Sequence, residues 1–145
     1  MRIAILWPHL SGYFQTCLKA LADAGVELLV SSFQSSQQAP YTQREFSWLD
    51  SHTRLVWPTE KIDRKRLLVE IEGFQPDVIL VMDIHGPRTT TDADLLANKA
   101  IAATPAGQKK NIVRMGGQYL LGFGPRTAEA VHDLAKAFYG SETSQ

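Results

Sequence analysis

The first thirty-one residues, MRIAILWPHLSGYFQTCLKALADAGVELLVS, change period twice, and that change limits what the chain can fold into. Arg2–Leu6 is an apolar run too short for a helix. Trp7–Gly12 holds a proline and a glycine and reads as a loop. From Tyr13 the pattern turns helical: Phe14, Cys17, Leu18 and Leu21 fall at i, i+3, i+4 and i+7, one face of a helix. Gly25 stands where a helix of this kind ends. Val26–Val30 is a second apolar run. Strand, loop, helix, turn and strand make a βαβ unit with parallel strands and a right-handed crossover. Its first loop lies at the carboxyl end of the first strand, where open α/β sheets bind ligands.

The later segments extend the same plan. Ser31–Gln43 is rich in serine and glutamine and reads as a long loop. Tyr41, Phe46 and Trp48 either tack it to the domain or line an acceptor pocket. Thr53–Trp57 reads as a strand stopped by Pro58. Thr59 or Asp63 caps a helix running to Phe74, with Leu67, Leu68, Ile71 and Phe74 as its apolar face. Arg64, Lys65 and Arg66 sit at its start, the less favourable end for cations. They form a solvated face or a weak contact with anionic lipid or a phosphorylated substrate.

Val78–Met82 is apolar without alternation, the signature of a strand buried on both faces of a parallel sheet. Thr91–Thr104 reads as a third helix with a Thr91–Asp94 capping box, the face Leu96, Ala97, Ala100 and Ile101, and a stop at Pro105-Ala106-Gly107. Asn111–Met115 is a strand, Gln118–Phe123 a further extended run, and a last helix begins at Gly124-Pro125. The expected fold is α/β: one Rossmann-like, three-layer α/β/α domain over residues 1–140. Its mostly parallel sheet has five or six strands in the order 3-2-1-4-5. Residues 141–145 form a frayed tail.

Composition narrows the function. The 145 residues fit a single domain. Fifteen basic and fifteen acidic residues balance, which removes the main electrostatic case for a nucleic-acid partner. Cys17, the only cysteine, has no internal disulfide partner and reads as a small buried hydrophobe, so a reducing cytoplasm is the expected compartment. The opening MRIAIL is not expected to act as a signal peptide, and no run approaches a membrane span.

The candidate site is the crevice between Trp7–Gly12 and Asp83–Arg88. Free N–H groups and the dipole at the start of the first helix favour a phosphate or carboxylate. Gly12 admits close approach of a ligand, with Tyr13 beside it. Ser11 either caps the helix or donates to a ligand oxygen. His9, Asp83 and His85, next to Gly86, are a polar rim, a set of substrate-binding or acid–base groups, or, least favoured, metal ligands. Neither a G-x-G-x-x-G nor a Walker A sequence is present. Gly116-Gly117 with Gly122 and Gly124 marks turns, or an anion site at Arg126 and Thr127.

Ordered together, MRIAILWPHLSGYFQTCLKALADAGVELLV and FQPDVILVMDIHGP resemble the N-terminal half of GT-B-fold glycosyltransferases of the family 4 type, over about residues 1–88. The resemblance rests on Ser11-Gly12, Ala22–Val30, Pro76–Met82 and His85. It implies an acceptor-binding domain, with a nucleotide sugar as donor substrate, a sugar acceptor, and no other cofactor or metal. His85 would be the catalytic contact, and His9, Ser11, Gly12, Tyr13, Asp83 and Gly86 substrate contacts. The E-x7-E pair of the donor-binding half is not in this chain. Transfer is therefore expected only with a C-terminal domain or partner subunit. The alternative from the residues alone is a Rossmann- or flavodoxin-like module holding a nucleotide or small anion in the same crevice.

Overall fold

The computed structural model describes residues 1–7, 12–33, 53–57, 61–83, 90–116, 132, 135 and 136. They form β1 (Arg2–Leu6), α1 (Gly12–Asp23), β2 (Glu27–Phe33), β3 (Thr53–Trp57), α2 (Arg64–Phe74) and β4 (Val78–Asp83), then three short helices α3 (Asp92–Leu96), α4 (Lys99–Ala102) and α5 (Pro105–Gln108), and β5 (Ile112–Gly116). The strands make one sheet in the order β3-β2-β1-β4-β5, and all four pairings are parallel. The α/β class, the parallel sheet and the strand order are those the crossover pattern predicts. The sheet has five strands among the described residues. The further extended run at 118–123, the greater part of the last helix and the tail at 141–145 lie outside them.

Side chains alternate along each strand, so two cores form. On the α1 face, Ile3, Ile5, Trp7, Leu28, Val30, Val78 and Leu80 pack with Leu18, and Cys17, Leu21 and Ala22 lie against them. On the opposite face, Ala4, Leu29, Leu55, Trp57 and Ile79 pack with Ile71, Ile101 and Ala106, flanked by Leu67, Leu68 and Phe74 of α2. The apolar run of β4 is explained by this double burial: its odd residues serve one core and its even residues the other.

Chain punctuation follows local chemistry. Gly25 takes a φ of 91°, which ends α1 at little steric cost. Asp63, not Thr59, caps α2, its carboxylate accepting from the Arg66 N–H at 3.1 Å. Thr91 and Asp94 form the reciprocal capping box expected of them.

Two expectations are corrected. The single helix over 91–104 is two short helices, α3 and α4, and a third, α5, follows directly. Asn98 is extended and its side chain accepts from the Ala100 N–H, restarting the chain as α4. Pro105 does not stop a helix but opens α5, with Thr104 as its cap. The break shifts the apolar face: Leu95 lies against the core, and Ala97 is exposed. Ser31 also does not begin a loop, since β2 runs on to Phe33, paired with Leu55, Val56 and Trp57.

Candidate functional site

The amino edge of the sheet is tied by side chains. The Arg2 N–H donates to Asp77 Oδ2 at 2.9 Å, Asp77 N–H returns a bond to the Arg2 carbonyl at 2.8 Å, and Asn111 Nδ2 donates to the Asp77 carbonyl at 3.1 Å. These bonds join β1, β4 and β5 where the strands begin. The carboxyl edge is where the β1–α1 and β4–α3 connections depart.

That edge has a defined reversal. β1 lies between β2 and β4, and α1 leaves β1 for one face of the sheet while α4 and α5 after β4 pack on the other. Adjacent connections that depart to opposite faces part from each other, and the gap between them is the ligand position in open α/β sheets. β4 extends beyond β1, since Leu6 is level with Val81 and Asp83 pairs with Gly116 of β5. Asp83 therefore stands past the end of β1 at the carboxyl edge of the sheet.

Of the predicted site residues, Gly12 and Tyr13 are the first two of α1 and Asp83 is the last of β4. The fold thus brings the start of α1 and the end of β4 to one edge. His9, Ser11, His85 and Gly86 lie outside the described residues, as do Tyr41, Phe46, Trp48, Arg126 and Thr127. Among the described residues no group of three or more His, Cys, Asp and Glu is placed to hold a metal ion. Cys17 is half-buried, and burial pushes its thiol above the ordinary range, which suits a packing residue rather than a nucleophile.

Four residues, Ser31, Trp57, Arg66 and Arg114, have roles here that sequence periodicity does not single out. Trp57 Nε1 donates to Ser31 Oγ at 2.8 Å, and both side chains are buried. The Arg66 guanidinium lies 5.9 Å from the centre of the Trp57 ring. The pair braces β2 against β3 and engages the indole N–H. On the far side, Arg114 of β5 donates through Nε to Asp92 and through Nη2 to the Thr90 carbonyl. It fixes the chain where it returns from 84–89. A lone arginine in an apolar strand is the only sequence signal for that role.

No family model matches the chain, and no curated protein matches it. Among solved structures it is similar to the periplasmic heme-binding protein BhuT in complex with two hemes, at 23% identity and a TM-score of 0.46, covering 86% of this chain and 50% of that one. It is also similar to a periplasmic binding protein from Veillonella parvula, at 14% identity and a TM-score of 0.47, covering 88% of this chain and 42% of that one. The chain thus spans half or less of these proteins' length. Neither likeness assigns a ligand or a compartment to it.

The comparisons overturn the glycosyltransferase expectation, because the similar structures are periplasmic binding proteins and not GT-B enzymes. The cytoplasmic expectation is corrected on the same ground, while the catalytic role that the resemblance gave His85 falls on a residue outside the described ones. The physical reason lies in the motifs. A short strand, a small-residue loop, a helix ending before a glycine, and a buried P-D-V strand are what a parallel α/β sheet requires of any sequence. They specify the architecture without specifying sugar transfer.

Proposed function

We propose that the chain is a small-ligand-binding α/β module, holding a nucleotide or small anion at the carboxyl edge between the β1–α1 and β4–α3 connections. The observation that carries this reading is the reversal of strand order at β1 and β4. The electrostatics of α1 support it. This twelve-residue helix has no acidic residue in its first turn, so its dipole is not offset by its own side chains there. Backbone N–H groups from Gly12 onward are the proposed anion donors, with Ser11 and Tyr13 beside them. His9, Asp83, His85 and Gly86 are the proposed polar contacts from the two walls.

Ligand-observed NMR with the whole chain tests the reading, using adenine and uridine nucleotides, flavin mononucleotide, inorganic phosphate and hemin as probes. Saturation transfer to a nucleotide or flavin phosphate ester is expected, with competition by inorganic phosphate. Gly12→Val, which puts a branched side chain at the start of α1, is expected to weaken binding about tenfold or more, the loss of one charge-assisted contact. Binding of hemin alone, of no probe at all, or binding unchanged in both Gly12→Val and His85→Ala would overturn it.

A further inference from the structure

Helix α2 carries its charges against its own dipole. Its first turn has no acid and holds Arg64, Lys65 and Arg66, and its last turn has no base and holds Glu72. Lys61 adds a fourth cation just before the cap. The Asp63 carboxylate is engaged by the Arg66 backbone N–H. Lys61, Arg64 and Lys65 are exposed, and none is in an ion pair among the described residues.

The same segment exposes apolar side chains. Large hydrophobic residues stand exposed among the described residues at Met1, Ile62 and Val69, and Val69 is the most exposed at 66%. Ile62 lies between Lys61 and the Asp63 cap. Val69 follows Lys65 and Arg66 by four and three positions, so it shares their side of the helix. The opposite side, Leu67, Leu68, Ile71 and Phe74, is committed to the core. Glu70 and Glu72 lie beyond the cationic turn, toward the other end.

We propose that the outer side of Lys61–Val69 docks on the surface of an anionic lipid bilayer. Cations alone would suit any polyanion. Cations interleaved with outward-facing Ile62 and Val69 suit a lipid interface, where charge meets headgroups and aliphatic groups enter the acyl boundary. The contact is peripheral: among the described residues no helix is long and apolar enough to cross a membrane. This surface is independent of the ligand site proposed above.

Co-sedimentation of the whole chain with vesicles tests the proposal, comparing phosphatidylcholine alone with phosphatidylcholine mixed with phosphatidylglycerol. Binding is expected to the anionic vesicles only, and to fall as salt is raised. Each cation near an anionic surface is worth about fivefold, so Lys61→Gln with Lys65→Gln should weaken binding more than about tenfold. Val69→Ser should weaken it about threefold or more. Lys109→Gln with Lys110→Gln, exposed cations elsewhere, should leave it unchanged. All these side chains are exposed, and circular dichroism checks that the variants fold. Equal binding to both vesicles, binding to neither, an equal loss in the Lys109/Lys110 variant, or no effect of Val69→Ser would overturn it. The last result, with competition by heparin, would leave a plain anion patch instead.

Discussion

Thr104 shows how much of this fold rests on one buried hydroxyl. It is fully buried, its Oγ1 donates to the Ile101 carbonyl at 2.6 Å and accepts from the Gly107 N–H at 3.1 Å, and it joins α4 to α5. Thr104→Val keeps the shape and removes both bonds, leaving the Gly107 N–H without its partner inside while the Ile101 carbonyl keeps only the Thr104 backbone N–H. A loss of about 1–3 kcal/mol is expected in urea unfolding. Gly107 is constrained from the other side, because an added Cβ would lie 2.0 Å from the Ile101 carbonyl oxygen. Gly107→Ala should therefore cost about 3 kcal/mol by the same measurement, the backbone of α5 having to move. Cys17 gives a pH prediction. Burial raises its thiol in the folded chain, so the unfolded chain releases the proton first as pH rises. Stability should then fall above the ordinary thiol range, and Cys17→Ser should flatten that limb of a stability–pH curve. Composition indicates a packing role for Cys17. It gives no sign of Ser31 as the acceptor of a buried indole, because the partner, Trp57, comes from another strand.

Helices with their caps written into adjacent residues are the elements the sequence specifies best. Asp63 and the Thr91–Asp94 box act within four residues of where they stand, so no tertiary knowledge is needed to read them. The division of 91–108 into three helices is harder to see. Asn98 competes for the Ala100 N–H in a stretch of good helix formers, and the outcome depends on Ile101 and Ala106 both reaching the sheet. The length of β2 depends likewise on β3 to pair with. For the site, the sequence locates the edge through the period change after Leu6 and the end of the β4 run, and it does not identify the ligand. Parallel α/β sheets place loops there whatever the loops bind. The α3 cap carries its own prediction. Bonds from the Thr91 backbone and side chain hold the Asp94 carboxyl below its ordinary value. A carboxylate held low in the folded state adds stability above its unfolded pKa and loses it as pH falls through the folded one. Amide shifts of Asp92–Leu96 should thus move toward random coil only below the usual aspartate range, and Asp94→Asn should abolish that transition. A titration centred at the ordinary aspartate value would count against the box.

At the scale of the whole molecule, stability and binding are assigned to opposite ends of the same strands. β1 lies between two neighbours and is buried on both faces, and β2 and β4 flank it under the two helix layers. Their amino ends are further joined through Asp77, Arg2 and Asn111. Opening these strands would expose both cores together, so their amides should exchange only through global unfolding. The α3–α5 region is different. Its helices are four or five residues long, α3 buries no residue, and much of its hold on β5 is an exchangeable pair, Arg114 to Asp92 and Thr90. Native-state hydrogen exchange in low urea should therefore show one shared, highest opening energy for Ile3–Leu6, Leu28–Ser31 and Val78–Val81. Asp94–Leu96 should open at lower energy with little urea dependence, since little surface is exposed. Arg114→Gln should lower protection in α3 and leave the central strands unchanged. If instead α3 and β1 open with one energy and one urea slope, the domain is a single cooperative unit. In that case the chain around the β4–α3 connection cannot adjust to a ligand without cost to the sheet.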